Sequence, residues 1–254
     1  MTLKVLGSSS SGNCYLLIAD NGETLIIEAG VRFSEVKKAL DFDLSKVVGC
    51  IISHEHGDHS KYVPDMLQSW INVCMSGGTA NALGLIGKPC KKGARVPAAF
   101  MAPFEPYKLG SFDIMMFPVE HDAAEPVGYL IRHKECGNVL FATDTYYLRY
   151  TFPNLSNILI ECNYRLDLLK ENYDNGRIGY KRYERTVKSH MSYETCLETL
   201  EANDLTKVNN IVLIHLSADN SHESEFVDGI AKATGKTVVA ARPGLSIPFN
   251  RTPY

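Results

Sequence analysis

With 254 residues, 45% of them apolar and 22% charged, the chain has the composition of an ordinary globular protein. A chain this long removes roughly three quarters of its unfolded surface from water, so its core needs no staples, and one domain over 1–254 is expected. Twenty-six Lys and Arg against 29 Asp and Glu give a net charge of −3, which argues against a protein that coats itself in nucleic acid but leaves room for a local basic groove. No apolar run approaches the roughly 18–20 residues that span a bilayer, and Thr2–Ser8 lacks a signal-peptide core. The seven cysteines are odd in number and never spaced C-x-x-C. They read as buried, reduced thiols of a cytoplasmic protein rather than a disulfide framework or zinc ribbon.

Strand and helix signals alternate along the chain. Thr2–Leu6, Cys14–Ala19 and Thr24–Glu28 read as strands, the last two joined at the hairpin signal Asn21-Gly22. Ser34 reads as the cap of a helix whose apolar face holds Val36, Ala39 and Leu40. Val47–Ile52 is a continuous apolar run, as expected of a strand covered on both faces. A helix over Lys61–Trp70, a strand at Ile71–Met75 and a helix near Thr79–Leu85 follow, then a Pro/Gly-rich loop over 87–106. Tyr107–Leu109 and Phe112–Phe117 form a hairpin across Gly110-Ser111. Further strands are expected at Val127–Arg132, Val139–Ala142, Ile158–Glu161, Ile211–Ile214 and Thr237–Ala240. Helices are expected over Met191–Leu200 and Glu223–Ala233. Sheet elements with helices in both halves imply a layered α/β architecture.

The chemistry concentrates in Ser53-His54-Glu55-His56-Gly57-Asp58-His59, directly after the apolar run Val47–Ile52. Three of the eight histidines and an aspartate fall within six residues, and such nitrogen and oxygen donors suit zinc and similar divalent ions. His54 and His56 can address one ion, and Asp58 and His59 a second. More ligands are then needed. His121, Asp144 and His215 are each the first ionisable groups after or near the end of a buried strand, where open sheets place functional side chains. His133 and His222 lie in hydrophilic surroundings and read as surface residues.

The pattern His-x-His-x-Asp-His, followed by a lone His, Asp and His after later strands, resembles the metallo-β-lactamase-fold hydrolases over essentially the whole chain. The resemblance implies an αββα sandwich of two similar halves with a dinuclear metal site at one edge of the sheets. Carried over, His54, His56 and His121 would hold the first metal, Asp58, His59 and His215 the second, and Asp144 would bridge. Zn²⁺ suits so imidazole-rich a site, with Mn²⁺ as the alternative. The true β-lactamases carry Cys where Asp144 stands, so that branch fits less well.

Leu159–Tyr164 resembles the Glu-containing strand end of the tRNase Z-like phosphodiesterases, Ser189–Ser192 their His-x-Ser/Thr helix start, and His215-Leu216-Ser217 their His-x-Ser signature. The resemblance makes Glu161 and His190, beside Asp58, the catalytic candidates: His190 would protonate the leaving oxygen and Glu161 would orient it. An alkoxide leaving group needs such an acid. Ser8–Tyr15 and the stretch from His121-Asp122 to Tyr129 look most like the YycJ-type branch and its phage-encoded relatives. Some of these are DNA exonucleases, and others, the anti-Pycsar enzymes, open 3′,5′-cyclic mononucleotides as a counter-defence. No long basic arm for gripping tRNA is present. Residues 170–188 hold six cations against three acids, interleaved with Tyr173, Tyr180 and Tyr183. Cations with aromatics suit a nucleotide's phosphate and base. Tyr180, Arg182, Tyr183 and Ser217 are thus the substrate-binding candidates, with 170–188 a lid that a homodimer partner would lend. The first reading is a dinuclear phosphodiesterase acting on small cyclic nucleotides. The alternatives are a 5′–3′ DNA exonuclease and a non-catalytic, metal-stabilised binding module.

Overall fold

The computed structural model describes residues 1–86 and 98–252. Two seven-stranded sheets face each other. The first contains β1 (Thr2–Gly7), β2 (Cys14–Ile18), β3 (Thr24–Ile27), β4 (Val47–Ile51), β5 (Val73–Met75), β6 (Ala98–Phe100) and β14 (Ser246–Pro248), in the order β14-β1-β2-β3-β4-β5-β6. The second contains β7 (Pro106–Leu109), β8 (Phe112–Pro118), β9 (Val127–His133), β10 (Gly137–Ala142), β11 (Leu155–Glu161), β12 (Asn210–Ile214) and β13 (Thr237–Ala240), in the order β13-β12-β11-β10-β9-β8-β7. In each sheet antiparallel strands give way to parallel ones, from β3 to β6 and from β10 to β13.

Period-two alternation explains three apolar layers. Leu3, Tyr15, Leu25 and Ile51 of the first sheet meet Ile114, Tyr129, Phe141 and Val212 of the second in the middle layer. The intervening residues point outward. Leu16, Ile26, Cys50 and Val73 pack under α1 (Phe33–Ala39), α3 (Val63–Gln68) and α4 (Gly77–Ala82). Leu140, Ile158, Ile160 and Leu213 pack under α7 (Tyr193–Glu201) and α8 (Glu223–Thr234). This is the expected αββα sandwich.

Several elements depart from the sequence expectations. Ser34 lies inside α1, whose cap position is Arg32 without a side-chain bond. The helix expected over Lys61–Trp70 is α3, and a short unexpected helix, α2 (Gly57–Ser60), precedes it and carries Asp58 and His59. The helix expected from Met191 starts at Tyr193, because Ser192 caps it by accepting from the Thr195 amide. The hairpin β2–β3 has a five-residue loop, 19–23, with Gly22 at φ 84°. The stretch 170–188 forms the end of α5 (Leu166–Asp174) and most of α6 (Tyr180–Ser189), joined by a turn over 175–179. Of the loop expected over 87–106, residues 87–97 lie outside the described residues, and 98–100 form β6. His133 is buried, not on the surface: its Nε2 faces Ser111 Oγ at 2.8 Å and its Nδ1 accepts from the Glu135 amide at 3.2 Å. His222 is exposed, at the start of α8. Six cysteines are buried free thiols, and Cys90 lies outside the described residues.

The two sheets are tied together at one end. Tyr129 Oη donates to the Ile52 carbonyl at 2.6 Å and the Val127 amide to Ser53 O at 3.0 Å, which anchors the His54–His59 loop to the second sheet. Tyr129→Phe removes the first bond while keeping the ring. It is expected to cost about 1 kcal/mol, lowering Tm by about 2–4 °C in scanning calorimetry, and an unchanged Tm would contradict this anchoring.

Candidate active site

The site lies where the strands end. β4 delivers His54 and α2 follows it with Asp58 and His59. Asp144 follows β10, Glu161 ends β11, His215 follows β12, and His190 follows α6. Asp144 and His215 hold left-handed backbone conformations, φ 45° and 56°, a cost that non-glycine residues bear mostly at functional sites. The Asp58 carbonyl accepts from the Asn13 amide at 2.8 Å, and a Cβ at Gly30 would collide with that carbonyl, so only glycine lets the loop approach.

Among the described residues ligand atoms converge within 4.8 Å in four groups: the two sets His54, His56, His121 and Asp58, His59, His215, and two groups that contain Asp144, one with His54 and His59 and one with Glu161, His190 and His215. His56 Nδ1 faces His54 Nε2 at 3.0 Å and His121 Nε2 at 3.2 Å. Asp58 Oδ2 lies 3.2 Å from His59 Nε2 and 3.3 Å from His215 Nε2. Asp144 stands between the sets, its Oδ2 3.0 Å from His59 Nε2 and its Oδ1 3.8 Å from both His121 Nε2 and His215 Nε2.

These residues fit divalent cations. Burial holds His54 and His121 below the ordinary imidazole range, so their lone pairs are available. His121 Nδ1 faces the Ser189 carbonyl at 2.7 Å and therefore carries the proton, which leaves Nε2 as the donor atom. Burial opposes charge on Asp58 and Asp144 too, but the neighbouring imidazoles win, and both carboxyls fall below their ordinary range. His215 is pushed up to about 10 because, against burial, Asp144 and Asp58 favour its charged form. His59 rises for the same reason, with Asp144 and Glu28 outweighing burial. Each would release a proton to a cation that took its place.

Beside these sets lies a carboxylate–imidazole pair. Glu161 Oε1 is 2.7 Å from His190 Nδ1, while Oε2 accepts from the Thr145 and Met191 amides at 2.9 and 3.1 Å. Burial lowers the His190 pKa, but the Glu161 charge more than offsets this and raises it. His190 and His215 line a cavity of about 260 Å³ whose walls include Asn163, Arg182, Arg185 and Ser217. Arg182 pairs with Asp219 at 3.2 Å and Arg185 with Asp122 at 2.8 Å. Tyr180 and Tyr183 are not among the lining residues. Tyr180 is exposed, and Tyr183 packs against Tyr173 and the Tyr164–Leu169 cluster.

The structure adds residues that the sequence reading did not single out. Arg185 and Asn163 line the cavity, and Asn163 Nδ2 donates to the His215 carbonyl at 2.8 Å. Glu28, buried just after β3 at φ 68°, accepts from the Ser53 amide at 3.1 Å and lies 3.5 Å from His59 Nδ1. Its only signal was an acid closing the apolar run Leu25–Ile27.

A family model described as a beta-lactamase superfamily domain matches residues 25–216. Exodeoxyribonuclease YycJ of Bacillus anthracis is 25% identical over 229 residues, 85% of this chain and 83% of that protein. The metallo-beta-lactamase fold protein YhfI from Bacillus subtilis superposes with a TM-score of 0.73 at 15% identity, covering 97% of this chain and 98% of that one. Zn²⁺-bound PqqB from Methylobacterium extorquens superposes with a TM-score of 0.70 at 12% identity, covering 97% of this chain and 99% of that one. The chain therefore belongs to the beta-lactamase superfamily domain family and has the metallo-β-lactamase fold.

Proposed function

We propose that the protein hydrolyses a nucleotide phosphodiester, with 3′,5′-cyclic mononucleotides as its substrates. The observation that carries this reading is the Glu161–His190 pair at the edge of the 260 Å³ cavity. Glu161 occupies Nδ1, so His190 gives its proton from Nε2 to the departing ribose oxygen, which leaves poorly unaided. His54, His56 and His121 would hold one divalent ion, Asp58, His59 and His215 a second, and Asp144 both. When bound, such ions supply Lewis acidity toward a phosphate oxygen and lower the pKa of water. Zinc is the first choice, as in PqqB, and manganese the second. Of the two aspartates in the ligand sets Asp58 is the more open, its side chain 21% exposed against 4% for Asp144, and it is the acceptor of the attacking water's proton in this reading.

The cavity's own polarity favours one small nucleotide. Both of its arginines already have carboxylate partners, so the charge this cavity offers suits one phosphate better than a run of them. Ser217 and Arg182 remain the substrate contacts of this reading. The buried thiols suit the reducing cytoplasm. A second reading, cleavage at a DNA end, is favoured by the likeness to exodeoxyribonuclease YycJ. One side-by-side assay separates them. Protein with Zn²⁺ or Mn²⁺ is given cyclic UMP, CMP, AMP and GMP, then 5′-labelled single- and double-stranded DNA and RNA. Opened cyclic nucleotides beside intact DNA are expected, with weak dependence on salt. Shortened DNA beside intact cyclic nucleotides would establish the second reading, and no turnover of any phosphodiester would refute both.

A further inference from the structure

A second, larger cleft of about 1080 Å³ opens at the other end of the sandwich. Gly137 and Asn138 at the start of β10, Ser156 in β11 and Asn209 just before β12 form its floor. These strands carry Asp144, Glu161 and His215 at their far ends. Six residues of extended chain separate Asn138 from Asp144, roughly 20 Å. The cleft is thus a separate place from the catalytic site.

Its charge is one-sided. Arg132, Lys134, Lys207 and Arg251 line it, against Asp113 alone among acids. Asp113 is taken by Arg132 at 2.9 Å and approached by Lys108 at 3.7 Å. Lys207 is held by a neutral group, Asn154 Oδ1 at 2.9 Å, and its nearest acid, Asp204, lies outside the lining and is shared with Lys236. Three acids stand at the margin: Glu135, paired with the Met1 ammonium at 3.1 Å, Glu23, which accepts from the amide of the lining residue Ser111 at 2.8 Å, and Asp204 beside Lys207. His133 adds no charge, because its Nδ1 accepts from a backbone amide and burial lowers its pKa. On a chain of net −3, this concentration of cations is local.

We propose that this cleft binds a polynucleotide strand by its phosphates, without reading its bases. Cations backed by hydroxyl and amide donors are the groups that hold phosphate oxygens. The described lining has no Phe, Tyr or Trp on which bases would stack, and its one imidazole, His133, is buried against Phe112. It also lacks the apolar anchors through which a peptide gains affinity, which sets an acidic protein partner aside. The site goes beyond the proposed phosphodiesterase activity and does not depend on it: it would hold the enzyme on nucleic acid while the catalytic end faces away.

The test is binding of fluorescein-labelled dT20 with phosphorothioate linkages, followed by fluorescence anisotropy on the full-length protein. With about three phosphates neutralised, log K should fall with log salt at a slope of roughly −2. Lys207→Glu/Arg251→Glu is expected to weaken binding about tenfold or more and to flatten that slope, whereas Lys37→Glu/Lys38→Glu on α1 should change it less than about twofold. An unchanged Tm certifies the fold of both variants. Because no step of turnover is read, the result stands apart from the fate of the phosphodiesterase reading. Equal affinity in the Lys207→Glu/Arg251→Glu variant would overturn the proposal, as would wild-type protein that binds poly-glutamate but not dT20.

Discussion

Alanine at His190 is expected to slow the opening of a nucleotide phosphodiester by about 10²–10⁴, while bis-p-nitrophenyl phosphate is hydrolysed with a much smaller loss. The asymmetry follows from the leaving groups, since a ribose alkoxide needs a proton and p-nitrophenolate does not. The structure supplies the means to give it. Glu161 is fully buried, yet both of its oxygens are engaged, one by His190 Nδ1 at 2.7 Å and the other by the Thr145 and Met191 amides. A carboxylate so held cannot turn away, and it fixes the imidazole with Nε2 as the donor. The ring also stacks on His215, with centroids 5.4 Å apart and planes 11° off parallel. Steady-state kinetics on the two substrates decides the matter. Equal losses on both would make His190 a binding or positioning residue instead.

Alanine at Asp144 should do more damage, and to both substrates alike. Its two oxygens reach His59, His121 and His215 between 3.0 and 3.8 Å, and Oδ1 lies 3.4 Å from His190 Nδ1. Among the described residues no other carboxylate touches both ligand sets in this way. Elemental analysis of wild-type protein is expected to find about two ions per chain, and the variant should hold fewer. Turnover should fall by more than the 10–100-fold typical of losing an outer-sphere partner of a metal ligand. A variant that kept both ions and its rate would exclude the bridging role. One ion per wild-type chain at saturating metal would exclude the two-ion arrangement itself.

Much of this was legible in the sequence because it depends on short-range pattern. Buried strands such as Val47–Ile51 and the Ile158–Ile160 part of β11 show as apolar runs whatever they pack against, and a ligand cluster within six residues cannot be missed. What failed to show depends on partners distant in the chain. The helix α6 is mostly polar, and its short stripe of Tyr180, Tyr183 and Val187 at i, i+3 and i+7 reads in sequence as aromatics interleaved with cations. The three-residue strands β6 and β14 exist because an edge of the first sheet is there to pair with. His133 sits between charged neighbours in sequence, yet the strand alternation turns it inward onto Phe112 and Ser111. Glu28 looks like an ordinary strand-end charge until the fold sets it against His59. Arg185 and Asn163 likewise become cavity walls only when α6 and the end of β11 are brought together.

The buried thiols have a practical consequence. They fall two to a layer: Cys74 and Cys136 between the sheets, Cys14 and Cys50 under the first helical layer, Cys162 and Cys196 under the second. A thiol is alkylated only when its surroundings open, and burial raises the pKa of five of the six, suppressing the reactive thiolate further. The wild-type chain thus carries its own set of opening reporters, distributed through its depth. Pulse alkylation resolved by peptide mass would rank the three layers by how readily each breathes, without a single engineered probe.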